Sequence, residues 1–217
     1  GLLGMLQLAL AAGNLSQAFR FCKQAKNSGM LLLNLINDIF DIARIEAGHL
    51  RLDLGSFCLH STLQETVGIV SCKAGEKQLQ LELINDESLK DEWYVGDVHR
   101  IQQVLLNLLW NSLKFTPDGF VKLIAKRLSQ SSGDGDGGTI EVLFEVHDSG
   151  IGIPKEYQAH VFQRYSPLTS RRSSDGPRLD SSGTGLGMSI CKELVELMGG
   201  RIWLRSKPEI ESGTIVS

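Results

Sequence analysis

An α+β chain is the prediction, and three observations carry it. A helical period runs from residue 15 to 47, strand-like segments begin only after Gly48, and glycine and proline crowd the second half. Fourteen of the 23 glycines and all 5 prolines lie beyond Phe115. The front is therefore free to be helical, while the back must turn often or bring backbone close to something. A chain of 217 residues has room for one large or two small domains with a proper core.

In the front, Cys22, Ala25, Gly29, Leu32, Ile36, Ile39 and Ala43 recur three and four apart, the spacing of a bundle seam. Leu33 and Phe40 widen the stripe, as a four-helix bundle requires. Residues 2–11 read as the end of a preceding helix turning at Ala12-Gly13-Asn14. Two helices do not close a bundle alone, so the segment predicts a homodimer, with an internal hairpin packed on the rest of the chain as the alternative. Residues 1–48 form this first domain and residues 49–217 the second.

Beyond Gly48 the period changes. Strand patterns occupy 54–59, 79–84, 120–128, 139–147 and 201–206, and helical patterns 60–75, 97–115 and 186–199. Residues 129–138 read as a loose hairpin loop between two strong strands. The stretch 164–182 holds Arg164, Arg171, Arg172 and Arg178 among serines. It is too long for a simple connector and reads as a lid or a disordered insertion.

Composition excludes several functions. A formal charge of −3 gives no electrostatic reason to expect nucleic acid. Cys22, Cys58, Cys72 and Cys191 show no metal-ligand spacing, which favours a reducing compartment over a disulfide scaffold or zinc site. Apolar runs are soon broken by polar residues, so neither a membrane span nor a signal peptide is expected.

The helix from Asp97 is the most informative segment. Ile101, Val104, Leu105, Leu108 and Ser112 make its core face. Beside them run Arg100, Gln103, Asn107, Asn111 and Lys114, again three or four apart. Two asparagines one turn apart offer amide oxygens suited to Mg²⁺, and the lysine beyond them suits a phosphate. A half-exposed helix with amide caps is the bland alternative. Two glycine motifs favour the ligand reading. Asp148-Ser-Gly-Ile-Gly152 ends a strand with a carboxylate able to accept from an exocyclic amine, then lets backbone approach through Gly150 and Gly152. Gly183-Thr-Gly-Leu-Gly187 opens an apolar helix whose free N–H groups suit phosphate. No G-x-x-x-x-G-K-[ST] is present, which excludes a P-loop.

In this order the motifs resemble those of the sensor histidine kinases of two-component signalling, especially the large hybrid ones, and more broadly the ATPase superfamily that includes gyrase. Residues 97–116 are similar to the N box, and Asp148–Gly152 to the first glycine box. Val161-Phe-Gln-Arg-Tyr165 is similar to the F box, Gly183–Gly187 to the second glycine box, and Gly213-Thr-Ile to the final strand. Residues 35–48 resemble the second dimerisation helix and its exit. The resemblance implies an α/β sandwich, its mixed sheet covered by helices on one face, after half of a dimeric four-helix bundle. It implies Mg²⁺ on Asn107 and Asn111, phosphate on Lys114, and adenine on Asp148 between Gly150 and Gly152. Tyr165 would join the nucleotide site, and Gly183, Thr184, Gly185, Leu186 and Gly187 would cradle phosphates under a lid at 164–182.

ATP and Mg²⁺ are thus the implied cofactors. A second copy and a response-regulator receiver domain are the implied partners. The implied location is cytoplasmic, with any membrane anchor outside this stretch. In the gyrase-like branch a glutamate that activates water precedes the Mg²⁺ asparagine; here Asn107 stands there, and an amide is no general base. None of His49, His60, His99, His147 and His160 lies in a phosphoacceptor-like segment. The expectation is a kinase core that begins just after its acceptor histidine, with a catalytically inactive nucleotide-binding module as the alternative and a gyrase-like ATPase disfavoured by Asn107.

Overall fold

The computed structural model describes residues 1–11, 13–90, 92–131, 138–164, 185–207 and 211–217. They form two compact units, Gly1–Leu50 and Arg51–Ser217. In the first, α1 (Leu2–Leu10) turns into α2 (Leu15–Glu46). The Asn14 side chain caps α2 by accepting the Gln17 N–H at 2.8 Å. Gly48, at φ 64°, ends it and lets His49 N–H reach back to Arg44 O at 2.8 Å.

At 1.5 Å per residue, α1 is about 14 Å long and α2 about 48 Å, so α1 pairs with only the early part of α2. There the seam residues are small. Ala25 is 3% exposed, and a Cβ on Gly29 would stand 3.2 Å from Leu2 Cδ1. Further on, Leu32, Ile36, Ile39 and Phe40 are between 40% and 61% exposed.

The second unit holds two sheets. β1 (Gly55–Cys58) and β3 (Trp93–Gly96) form an antiparallel ribbon. The main sheet contains β2 (Gln80–Asn85), β4 (Phe120–Ser131), β5 (Thr139–Asp148), β6 (Leu204–Lys207) and β7 (Glu211–Val216), in the order β2-β4-β5-β7-β6. Only β2 and β4 run parallel; the remaining pairs are antiparallel. Its helices are α3 (Leu59–Glu76), α4 (Val98–Phe115), the single-turn α5 (Lys155–Gln158) and α6 (Gly187–Leu197).

The core of this unit holds Leu63 and Val70 of α3, Leu109 and Leu113 of α4, Leu194 of α6, Val121 and Leu123 of β4 and Val146 of β5. All are at most 1% exposed. The opposite face is charged, with Lys122 on Glu82 at 2.9 Å and Lys126 on Glu145 at 3.1 Å. Burying one face and charging the other gives a mixed sheet with helices on one side, the α+β architecture the sequence predicts. Among the described residues no helix is long and apolar enough to cross a membrane.

Four segments differ from expectation: α5 at Lys155–Gln158 was not foreseen, and β4 runs to Ser131, into the stretch expected as a loop. The strand expected at 201–206 is Leu204–Lys207, with its first ladder bonds exchanged by Trp203 and Ser217 at 2.8 and 2.9 Å, because Gly199 (φ 79°) and Gly200 end α6 and the next residues carry the chain to the sheet edge. β3 was not expected: Trp93, Tyr94 and Val95 are consecutive apolar residues with no alternation, ending at Gly96 against the cap of α4.

Candidate functional site

The site is built on α4, which is fixed at both ends. Asp97 is 4% exposed. One of its oxygens accepts the Arg100 N–H at 3.0 Å as the helix cap, and the other accepts the Asp53 N–H at 2.9 Å. At the far end the Lys77 ammonium donates to the carbonyls of Leu113, Lys114 and Thr116 at 2.5–3.3 Å. A cation there also suits the negative end of the helix dipole.

The polar stripe of α4 is half-buried and faces α6. Asn107 Nδ2 donates to Cys191 Sγ at 2.9 Å, and Asn111 Nδ2 to Met188 Sδ at 3.4 Å. Arg100 donates to Gln103 Oε1 at 2.6 Å. The Lys114 ammonium lies 5.0 Å from the Phe115 ring centroid.

β5 delivers Asp148 to the same helix. Ser112 Oγ donates to Asp148 Oδ2 at 3.1 Å, and the Gly150 N–H to Oδ1 at 2.9 Å. Burial pushes the Asp148 carboxyl above its ordinary value, against the opposing pull of hydrogen bonds from Gly150, Ser112 and the Thr214 backbone. A Cβ on Gly150 would lie 2.5 Å from Phe115 O, so only glycine lets this loop close on the end of α4. The loop is then pinned by Ser206, whose Oγ accepts the Ile153 N–H at 2.7 Å, and by Gln158, which donates to the carbonyls of Ile153 and Ser206 at 2.7 and 2.8 Å.

At the second glycine motif, Gly185 adopts φ 71° and Leu186 is buried. Gly187 opens α6 hard against Asn107, where a Cβ would come within 2.6 Å of the amide oxygen. Asn107, Asn111, Asp148, Gly150 and Gly187 therefore converge around α4, with Lys114 one turn beyond Asn111. Tyr165, Gly183, Thr184 and the arginines at 171, 172 and 178 lie outside the described residues. Arg164 is engaged by Glu193 of α6 at 2.8 Å.

Sequence reasoning placed Ser112 only on the core face, yet its hydroxyl joins the carboxylate to the helix. A polar residue within an apolar stripe was the available signal. Met188, Cys191, Gln158 and Ser206 carried none. The arrangement offers a carboxylate acceptor, two amide oxygens for a hard cation, and an ammonium for an anion. Of the five histidines, His60 bonds Asn85 at 2.9 Å and His160 bonds Gln163 at 3.0 Å, while His147 Nε2 lies 3.8 Å from a Glu145 oxygen.

Residues 96–217 match the family described as histidine kinase-, DNA gyrase B- and HSP90-like ATPase. The circadian input-output histidine kinase CikA of Synechococcus elongatus is 40% identical over 92% of the chain, and the signal transduction histidine-protein kinase BarA of Escherichia coli is 31% identical over 96%. The chain spans 25% and 22% of the length of these relatives. The structure of full-length ShkA in complex with AMPPNP superposes over 99% of the chain and 41% of its own, with a TM-score of 0.69 and 26% identity.

Proposed function

Because this chain belongs to the histidine kinase-, DNA gyrase B- and HSP90-like ATPase family, we propose that it is the nucleotide-binding core of a protein histidine kinase. In this reading it binds Mg·ATP and donates the γ-phosphoryl to a histidine outside the five it contains. The observation that carries the reading is the Ser112–Asp148 hydrogen bond of 3.1 Å. It sets an amine-accepting carboxylate beside Asn111, so one helix addresses both the base and the phosphates.

Asp148 accepts from the adenine amine, which guanine lacks at that position. The amide nitrogens of Asn107 and Asn111 are turned to sulfur, which leaves the oxygens as the ends for Mg²⁺. Two such oxygens are a partial set, as suits an ion that keeps waters and takes phosphate oxygens. Bound Mg²⁺ supplies charge neutralisation at the phosphates. Lys114 adds a cation, and the first N–H groups of α6 add donors. Phosphoryl transfer needs chiefly alignment and charge stabilisation. Asn107 has no proton-accepting group to activate water, which favours transfer over hydrolysis.

With γ-labelled ATP and a separately supplied acceptor segment, acid-labile phosphate is expected on that segment, and none with Asn111→Ala. Label that never reaches the segment despite bound ATP would leave an inactive nucleotide-binding module.

The uncovered seam of α2 supports a homodimer through the hairpin. Leu32, Ile36, Ile39 and Phe40 form a long apolar face that a second copy buries. Ile36→Glu is expected to convert a dimer to a monomer in sedimentation equilibrium; a parent chain monomeric at all concentrations would contradict this. A receiver domain that takes the phosphoryl onward completes the proposed relay.

A further inference from the structure

The geometry points to Met188 and Cys191 as positioning residues that set which end of each Asn107 and Asn111 amide faces the metal. This inference rests on the Mg·ATP reading above. An asparagine amide is nearly symmetric in shape, and only its neighbours decide whether nitrogen or oxygen points a given way. Here both neighbours are sulfurs on one face of α6, three residues apart, opposite two amides one turn apart on α4. Met188 Sδ carries no proton and can only accept. Cys191 directs its own S–H at Val104 O, 3.8 Å away, which leaves its lone pairs for Asn107 Nδ2 at 2.9 Å.

Each amide nitrogen is thereby held to a sulfur within α6, and the Asn107 oxygen is left at the Gly187 end of that helix. Sulfur suits the task in a second respect, because a soft thioether or thiol competes poorly for Mg²⁺ with amide oxygens. The approach depends on Gly187, since a Cβ there would meet Asn107 Oδ1 at 2.6 Å and Nδ2 at 2.8 Å. Nothing at Gly187 then stands between the start of α6 and the amide it orients.

The test is a pair of affinities for AMPPNP on the full chain, one in Mg²⁺ and one in EDTA, together with the side-chain NH₂ resonances of Asn107 and Asn111. Met188→Leu with Cys191→Ala keeps apolar volume but removes both acceptors. It is expected to lower the Mg²⁺-dependent gain in affinity about tenfold, the usual scale for losing an orienting partner of a metal ligand. Affinity in EDTA and the thermal midpoint should stay as in the parent, and both NH₂ resonances should shift. Cys191→Ser, whose hydroxyl can both donate to Val104 and accept from Asn107, should retain most of the gain.

An unchanged Mg²⁺ gain in the double variant overturns the positioning role. Equal losses in Mg²⁺ and EDTA also overturn it, since they indicate packing alone. A parent chain with no Mg²⁺-dependent gain overturns the nucleotide reading itself, and this inference with it.

Discussion

Asp148→Asn is expected to bind ATP roughly ten- to hundredfold more weakly than the parent while unfolding no more easily, because a hydrogen bond to a charged group is worth about 1.5–3 kcal/mol. The two halves of this result have one cause. Burial holds the Asp148 carboxyl above its ordinary value, so the folded protein binds that proton more tightly than the unfolded chain does. The ionised form therefore costs stability at neutral pH, and the cost is relieved as the pH falls through the raised value. An amide carries no such charge, and Ser112 can rotate its hydroxyl to accept from the new nitrogen.

The same shift gives ATP affinity a pH dependence. Affinity should decline on acidification before ordinary carboxylates protonate, and Asp148→Asn should lack that component. Using adenosine as the ligand removes the titration of the phosphates from the comparison. Calorimetric titration across pH checks both statements. Equal ATP and GTP affinity in the parent would dismiss Asp148 as the reader of the base.

Lys77→Met should lower the stability of the second unit by about 2–3 kcal/mol, since it removes charged hydrogen bonds to three carbonyls at the end of α4. For a unit of this size that corresponds to a fall of about 4–12 °C in thermal midpoint. Lys77 is half-buried, and its ammonium reaches Leu113, Lys114 and Thr116 from the end of α3. Losing it frees the turn that carries Lys114 and abuts Gly150, so ATP affinity should fall as well. Scanning calorimetry decides the matter: a midpoint equal to the parent's would show that water replaces the ammonium without loss.

What the sequence disclosed follows from the range of each interaction. α4 was legible because its cap, apolar face and polar stripe all lie within 20 consecutive residues of one period. The β4–β5 hairpin was legible from two long alternating runs. β3 and α5 were not: β3 has no alternation in Trp93-Tyr94-Val95, and α5 is a single turn. The order of the main sheet was equally hidden, because nothing local in Gln80–Asn85 announces a parallel partner at Phe120. At the site, residue types identified Asp148, Asn107 and Asn111 as candidates. The bonds that orient them run from Ser112 to Asp148, 36 residues on, and from Asn107 to Cys191, 84 residues on. Pairings at that distance leave no spacing to read. Tertiary packing alone creates them.

One consequence concerns the order in which the molecule is made. The pairing of β5 with β7 sets Asp148 opposite Thr214, and Gly213 is seated so closely that a Cβ would lie 2.2 Å from Asp148 O. The carboxylate proposed to read the base is therefore held by a strand that follows it by 66 residues in the chain. A nascent chain that has exposed every residue of the polar stripe still lacks the strand that positions its carboxylate. If the site binds nucleotide as proposed, it can do so only once β7 has joined β5, so nucleotide capture would report that pairing and not merely the presence of the polar stripe.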